Sequence, residues 1–386
     1  MNIDGGIEAS FAFMDVGDPV TLAAVVVAVS LLIVILLFLP YFTILKAISD
    51  HSYPNAVFKA VGLPFLSKHL LEMLSESGNE TELASRLGEY GIRMPQNRKL
   101  DLEEIEDVLE TEAIRMLRNT LASVPDGTKP FFRAYIGKMD ALQVKKALRG
   151  LRSGLAPRIH PVYYIDAEVA RRLSEAKTQK EVVEALDGTP LGPVLSDNIQ
   201  QNPERPVLWE MSLDQRAMDE LSDSVFHVDS DLQAPLREFY GRLADVENIN
   251  LLARATAANI SSEEVLSMMS QGGRELPRWM LERLADSPDL QALLAELESV
   301  SYGVWLREHV AVVSAEPADV EMALERCLLH QIYEISSKNG LLAGPSVLFA
   351  FGKEKEMANI RVLARSVRDG VPFGDIEPFL VLEVSA

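Results

Sequence analysis

The residues best suited to chemistry recur along this 386-residue chain as three acid–amide pairs. An amide stands three residues after a carboxylate in each of them, at Asp140 and Gln143, Asp245 and Asn248, and Glu356 and Asn359. A carboxylate beside an amide invites a catalytic interpretation, with the carboxylate transferring protons. Each pair, however, belongs to a different segment of the chain, and one pair per segment is what triplication of a scaffold leaves behind. We therefore interpret the three pairs as structural.

No other motif predicts an active site, a cofactor site or a metal site. The histidines never pair at metal-ligand spacing; they are His51, His69, His160, His227, His309 and His330. His330 and Glu334 share a helical face, but two residues do not make a site. Gly352-Lys353 lacks the preceding glycine that a phosphate-binding loop requires. Cys327 lies in an apolar helix and is typical of a small core residue.

The acid–amide pairs belong to a longer repeated pattern. An aromatic residue stands five positions before each acid and an arginine nine positions after it. The complete signature is Tyr135, Asp140, Gln143 and Arg149; Tyr240, Asp245, Asn248 and Arg254; and Phe351, Glu356, Asn359 and Arg365. Apolar residues recur in phase on one helical stripe, while the arginine lies on nearly the opposite side. A helix with recurring residues on two opposite sides is expected to pack on both sides. We therefore predict that this helix is the central helix of each repeat.

The three acids are separated by 105 and 111 residues, which predicts three units of domain size rather than a solenoid. An apolar helical segment precedes each central helix, and we expect it to end at Tyr90-Gly91, Leu191-Gly192 and Tyr302-Gly303. A longer helix is predicted between such a helix stop and the central helix that follows it, as at 102–121 and 319–336. Strand-type alternation is nearly absent, so the fold class is all-α. The predicted repeats are residues 43–155, 156–260 and 261–386.

An unbroken apolar run without charge occupies residues 20–39. Twenty helical residues span about 30 Å, the thickness of the hydrocarbon core. A signal peptide is the alternative, but no Lys or Arg precedes Lys46, so its basic region is missing. We predict a short external tail at 1–19 and a transmembrane helix at 20–42. Acidic residues before the run and lysines after it place the body in the cytoplasm.

Between the membrane and the first repeat, Pro54, Gly62 and Pro64 interrupt the chain. Proline removes a helical hydrogen bond and glycine favours turns, so short helices with turns are expected there rather than one rod. A capping box at residues 261–264 predicts a further helix start at the opening of the third repeat.

Composition limits the classes of function. The formal net charge of −20 argues against nucleic-acid binding and indicates that any charged partner is basic. Hydrophobic residues make up 48% of the chain, enough for several packed cores. A single cysteine excludes an intramolecular disulfide and fits a reducing compartment.

Four ordered segments resemble the C subunit of archaeal A-type ATP synthases, a family that includes the d subunit of vacuolar-type ATPases. These segments are YPNAVFKAVGLPFLS (53–67), ADVENINLLARA (244–255), ELESVSYG (296–303) and GKEKEMANIRVLARSVRDGVP (352–372). The resemblance covers roughly residues 50–380. It implies a pseudo-threefold funnel of three similar helical domains, seated on the membrane rotor ring and receiving the central stalk. Such a subunit is not catalytic, has no cofactor or small-molecule substrate, and transmits torque for ion-transport-linked ATP synthesis or hydrolysis.

The apolar run departs from that resemblance, because the typical family member is peripheral. The sequence therefore leaves two other hypotheses open. One is a membrane-anchored helical adaptor unrelated to rotation, which would share the anchor and the triplicated body. The other is a membrane-attached enzyme, which would need a clustered polar pocket with shifted carboxylates. The coupled ion, proton or sodium, is not encoded here, since its site would lie in other subunits.

Overall fold

A computed structural model describes residues 19–61, 66–95, 99–226, 230–311 and 315–382. The described residues form helices, turns and loops and contain no strand, which confirms the all-α class for this part of the chain. Two compact units divide the chain, Met1–Asp50 and His51–Ala386. Nearly all of the predicted external tail at 1–19 lies outside the described residues.

The first helix, α1, spans Pro19–Ala60 and contains the apolar run. Within the described residues it is the one helix that is long and apolar enough to cross a membrane. The expected break at Pro54 is wrong, because α1 continues through it to Ala60. The Asn55 side chain donates to the carbonyl oxygen of Leu342 at 3.0 Å, and the ring of Phe58 stacks on Phe349 at 4.6 Å. These contacts offset the hydrogen bond that the proline removes. Gly62 and Pro64 lie outside the described residues.

Six long helices form the framework of the second unit. They are α4 (Leu102–Ser123), α5 (Lys129–Ser153), α9 (Pro206–Phe226), α10 (Ser230–Ala258), α15 (Pro317–Lys338) and α16 (Gly344–Asp369). In chain order each of them contacts the next, and α16 contacts α4, so the contacts close into a cycle. The predicted helices at 102–121 and 319–336 correspond to α4 and α15. The three central helices of the repeats are α5, α10 and α16.

Short helices lie before, between and after the six long ones. They are α2 (Lys68–Ser75), α3 (Glu80–Glu89), α6 (Ala167–Glu175), α7 (Gln179–Ala185), α8 (Leu191–Gln201), α11 (Ser262–Ser267), α12 (Arg278–Ala285), α13 (Leu290–Glu296), α14 (Ser301–His309) and α17 (Phe373–Ile376). Several begin at a polar cap, where a side-chain oxygen accepts one of the unpaired N–H groups of the first turn. Ser261 caps α11 in this way and accepts from the amide of Glu264, as the capping box predicts.

Two hydrophobic cores join central helices to short helices. In one core, Val144 and Leu148 of α5 pack with Leu173, Leu186 and other residues of α6 to α9. In another, Ile360 and Leu363 of α16 pack with residues of α2, α3 and α4 from the opposite end of the chain. The repeat boundaries at residues 155 and 260 stay a prediction. The first of them runs through a hydrophobic core, because α5 before it packs with α6 to α9 after it.

The three expected helix stops have different outcomes. Tyr90-Gly91 ends α3, with Gly91 at φ +85°. The other two expectations are wrong, because Leu191-Gly192 and Tyr302-Gly303 lie in the first turns of α8 and α14. Glycine has another role there: a Cβ atom on Gly303 would lie 2.0 Å from the carbonyl oxygen of Leu297. The missing side chain permits this close approach of backbone to backbone.

Candidate functional site

Each signature amide forms hydrogen bonds with a backbone segment farther along the chain. Asn248 donates to the carbonyl oxygen of Ser270 and accepts from its N–H, both at 2.9 Å. Asn359 makes the same two bonds to Val381 at 2.7 and 2.8 Å. Gln143 accepts from the amide of His160 at 2.9 Å but donates to the side chain of Glu110. Because an amide side chain both donates and accepts, it can pair with a whole peptide unit.

Asp140 is the anchor of the segment that follows α5. Its carboxylate is fully buried and accepts three backbone N–H bonds at 2.9 to 3.1 Å, from Tyr163, Tyr164 and Ile165. Burial raises the pKa of Asp140 to about 6, and the three N–H bonds act in the opposite direction. With its oxygens occupied by the loop, this carboxylate faces protein backbone rather than a substrate pocket.

Asp245 holds the equivalent segment after α10. It accepts from the amides of Arg274, Glu275 and Leu276 at 2.7 to 3.2 Å, and from the hydroxyl of Tyr302 at 3.3 Å. The pKa of Asp245 is also raised to about 6 by burial, against the same backbone bonds. Asp140 and Asp245 therefore share one function, which is to fix a loop against the central helix.

Glu356 completes the set with a partner from the other end of the chain. Its carboxylate pairs with Lys353 at 2.5 Å and accepts from the backbone amide of Leu66, which immediately precedes the cap of α2. Burial raises the pKa of Glu356, and the charge of Lys353 opposes that shift. The segment before α2 thus occupies, for α16, the position that downstream loops occupy for the other two central helices.

Two of the three signature arginines connect their central helix to a facing long helix. Arg149 pairs with Glu210 of α9 at 2.5 Å, and Arg365 pairs with Glu106 of α4 at 2.6 Å. Arg254 differs, because it donates to the carbonyl oxygen of Asn250 on its own helix at 3.3 Å. Burial raises the pKa of Glu321 on α15, and the charge of Arg254 opposes that shift. Glu106, Glu210 and Glu321 are separated by 104 and 111 residues, close to the 105 and 111 residues between the signature acids.

The signature aromatics do not share one role. Tyr240 donates to the carbonyl oxygen of Gln271 at 2.6 Å, whereas Tyr135 and Phe351 contact Phe239 with ring centroids 5.9 and 6.4 Å apart. Phe131 joins this central aromatic cluster at 5.8 Å from Phe239. The cluster brings α5, α10 and α16 together. Phe239 adjoins Tyr240 but falls outside the aligned aromatic positions, so the repeated signature does not include it.

Charged side chains surround the cluster and bind the three central helices to one another. The Tyr135 hydroxyl of α5 donates to Glu354 of α16 at 2.8 Å, and Lys138 of α5 pairs with Glu247 of α10 at 3.2 Å. Burial disfavours the charged form of Glu247, yet nearby cations, Lys138 first, hold its pKa below the usual value. The Lys138 and Glu247 side chains are 24% and 33% exposed, so water reaches this network.

The other candidates give no chemical site within the residues that the structure describes. No group of three or more His, Cys, Asp or Glu residues there could hold a metal ion. His330 lies 3.7 Å from Glu334, the ordinary spacing of a helical ion pair. Cys327 is buried, and burial raises its pKa to about 12, which disfavours a reactive thiolate. The signature residues thus hold loops and helices in place, which is a structural role.

Comparisons with known proteins agree over most of the chain. The family model described as ATP synthase (C/AC39) subunit matches residues 54–378. The A-type ATP synthase C subunit of Methanocaldococcus jannaschii is 24% identical, over 94% of this chain and 94% of its own length. The corresponding C subunit of Pyrococcus abyssi is 26% identical, over 84% of this chain and 88% of its own.

A third relative bears on the apolar helix. The A-type ATP synthase C subunit of Methanosphaera stadtmanae is 25% identical, over 97% of this chain and 98% of its own length. That alignment leaves about 12 of the 386 residues outside, so it extends across residues 20–39. The segment that carries α1 therefore has an aligned counterpart in this relative.

Proposed function

Because the chain belongs to the ATP synthase (C/AC39) subunit family, we propose that it is a non-catalytic rotor subunit of a rotary A/V-type ATPase. In this function it links the central stalk to the membrane rotor ring and transmits torque for ion-transport-linked ATP synthesis or hydrolysis. The observation that carries the proposal is the closed cycle of six long helices, whose last member packs on its first. A body without an open edge resists shear when it is twisted.

The pseudo-threefold funnel is part of this proposal. Its support is that each central helix packs against the long helix of the following repeat: α5 with α9, α10 with α15, and α16 with α4. The central helices meet at Phe239, and the partly exposed Lys138 and Glu247 lie beside that point. Water-accessible charges next to a buried aromatic cluster fit the wall of a socket that narrows there. The repeats at 43–155, 156–260 and 261–386 would form its three domains.

The charge of the chain supports the choice of partner within the complex. With a net charge of −20, the chain would attract a basic stalk end and steer its docking. Close packing in the helical cores gives the stiffness that torque transfer requires, since such interiors have low compressibility. No bound nucleotide is needed for either property.

Membrane attachment is proposed on the strength of α1. Its apolar run has the length of the hydrocarbon core and would contact lipid through residues 20–39. Lys46 and Lys59 follow the run and no basic residue precedes it, so the body would lie on the cytoplasmic side of the cell membrane. The residues before α1 would then lie outside.

Affinity purification of the full-length chain from gently solubilised membranes tests the proposal. The expected result is a large complex that contains ring and stalk subunits of the ATPase, with close to one copy of this chain. Quantitative mass spectrometry against labelled peptides measures that ratio. Recovery of the chain with membrane proteins unrelated to an ATPase, and without ring or stalk subunits, would instead support the helical adaptor.

A further inference from the structure

The apolar part of α1 presents no polar face. Consecutive residues on a helix are about 100° apart, so four of them sample its whole circumference. Leu31, Leu32, Ile33 and Val34 are 60%, 55%, 51% and 47% exposed in the isolated chain. No Asp, Glu, Lys or Arg occurs from Pro19 to Leu45. A helix that is apolar on every side requires an apolar environment on every side, which lipid supplies.

The first residues of the second unit, at the C-terminal end of α1, pack against α16, one of the helices that meet in the central aromatic cluster. His51 and Asn55 are 1% and 5% exposed, and Phe58 stacks on Phe349 of α16. The same helix contributes Phe351 to the contact with Phe239. The chain therefore enters the second unit at a buried attachment on α16 and not at a peripheral short helix.

Rotation restricts where such a lipid-facing helix can be. This step rests on the proposed function, in which the chain turns together with the rotor ring. A helix outside the ring would meet the stationary membrane subunits once in every revolution, whereas a helix inside the ring turns freely with it. We propose that residues 20–39 occupy the lipid-filled centre of the rotor ring, where they turn with the ring and hold the subunit on the rotation axis.

Electron cryomicroscopy of the intact complex tests this placement directly. The expected map has a single helix in the centre of the ring, surrounded by lipid density. A helix on the outer surface of the ring, or against the stationary subunits, overturns the proposal.

Site-specific photocrosslinking decides the case if no helix is resolved. A photoreactive residue is introduced at Val29 and at Leu31, which lie about 200° apart on α1. We expect the ring subunit to be the sole protein crosslinked from these positions, because the helix moves within lipid that the ring encloses on every side. The control is the chain without a photoreactive residue, irradiated under the same conditions, which should give no ring product. Crosslinks to stationary subunits, or no ring product at either position, overturn the placement.

Failure of this inference can be told apart from failure of the proposed function. A chain that purifies with ring and stalk subunits but crosslinks outside the ring retains the rotor function and loses only the central placement. A chain that purifies without the ring loses both. The same membrane preparation therefore supplies both measurements.

Discussion

Arg365 of α16 donates to Glu106 of α4 at 2.6 Å, across 259 residues of sequence, in the same way that Arg149 of α5 pairs with Glu210 of α9. The contact of α16 with α4 therefore contains the same kind of arginine–glutamate pair as the contact of α5 with α9. Leu66, which donates to Glu356, adds a second contact of this kind between distant parts of the chain. The two ends of the second unit are thus joined by native contacts instead of by a covalent connection.

The strength of this junction should come from its apolar core and not from its ion pair. Leu363 is fully buried, and Leu363→Ala should lower the free energy of unfolding by about 2–5 kcal/mol through lost burial and a cavity. Arg365 and Glu106 are 56% and 27% exposed, so Arg365→Ala should cost about 1 kcal/mol or less. Denaturant unfolding of the full chain in detergent measures both. Equal losses for the two variants would contradict this division.

Asp140 should stabilise the fold through the loop that it holds. At pH 5, Asp140→Asn should lower the free energy of unfolding by about 1–3 kcal/mol, because the amide nitrogen cannot accept the N–H bonds that one carboxyl oxygen accepts. Asp126→Asn is the matched control, since Asp126 is 94% exposed, and its effect should stay within about 0.5 kcal/mol. A loss for Asp140→Asn no larger than for the control would refute the anchoring role.

The effect of Asp140→Asn should depend on pH. The pKa of Asp140 is about 6 in the folded protein, above the ordinary aspartate value of 3.8, so the folded state binds the extra proton between these values. Stability from this group is therefore present below about pH 4 and falls as pH rises through 6. The difference between the wild type and Asp140→Asn should narrow from pH 5 to pH 7.5. A difference that widens would mean that the three N–H bonds outweigh burial and lower the pKa instead.

Much of the fold could be predicted from the sequence because local patterns determine it. The apolar stripe and the signature residues locate the three central helices, and the capping residues locate the start of α11. Pairing across the chain was harder to predict, because the contact of α16 with α2 and α4 joins segments that no short-range pattern connects. Phe239 was missed for the same reason, since its partners lie on two other helices.

The repeated glycines show where local pattern is ambiguous. Tyr90-Gly91 and Tyr302-Gly303 look alike in sequence, yet Gly91 ends a helix with positive φ and Gly303 lies inside α14. A left-handed cap and a close backbone approach both require the absence of a side chain. Only the position of Leu297 beneath Gly303 distinguishes the two, and that depends on tertiary packing.

Gly303→Ala tests the close approach. A Cβ atom would lie 2.0 Å from the carbonyl oxygen of Leu297, which is backbone and cannot rotate away, so the first turn of α14 must shift. We expect a loss of about 1–3 kcal/mol or more, as in other overpacked sites. Gly374→Ala is the control, because nothing lies within 4 Å of its added Cβ. Thermal unfolding followed by circular dichroism compares them, and equal midpoints would contradict the contact.

Phe239 should matter both for stability and for the proposed transmission of torque. It is 1% exposed and contacts rings of α5 and α16, so Phe239→Ala should cost about 3–5 kcal/mol and loosen the joint between the central helices. Leu195→Ala in α8 is a matched control, because Leu195 is fully buried but belongs to the core of α5 to α9.

In the assembled complex, Phe239→Ala should leave ATP hydrolysis active while reducing ion transport per ATP, because a joint that yields under load dissipates the twist. Leu195→Ala should lower stability yet keep the wild-type ratio of transport to hydrolysis. Both rates are measured on the same reconstituted vesicles, prepared from intact complexes that contain ring, stalk and this chain, so that hydrolysis by detached heads does not lower the ratio. If the two variants changed this ratio equally, the cluster would be an ordinary part of the core and not a joint through which torque passes.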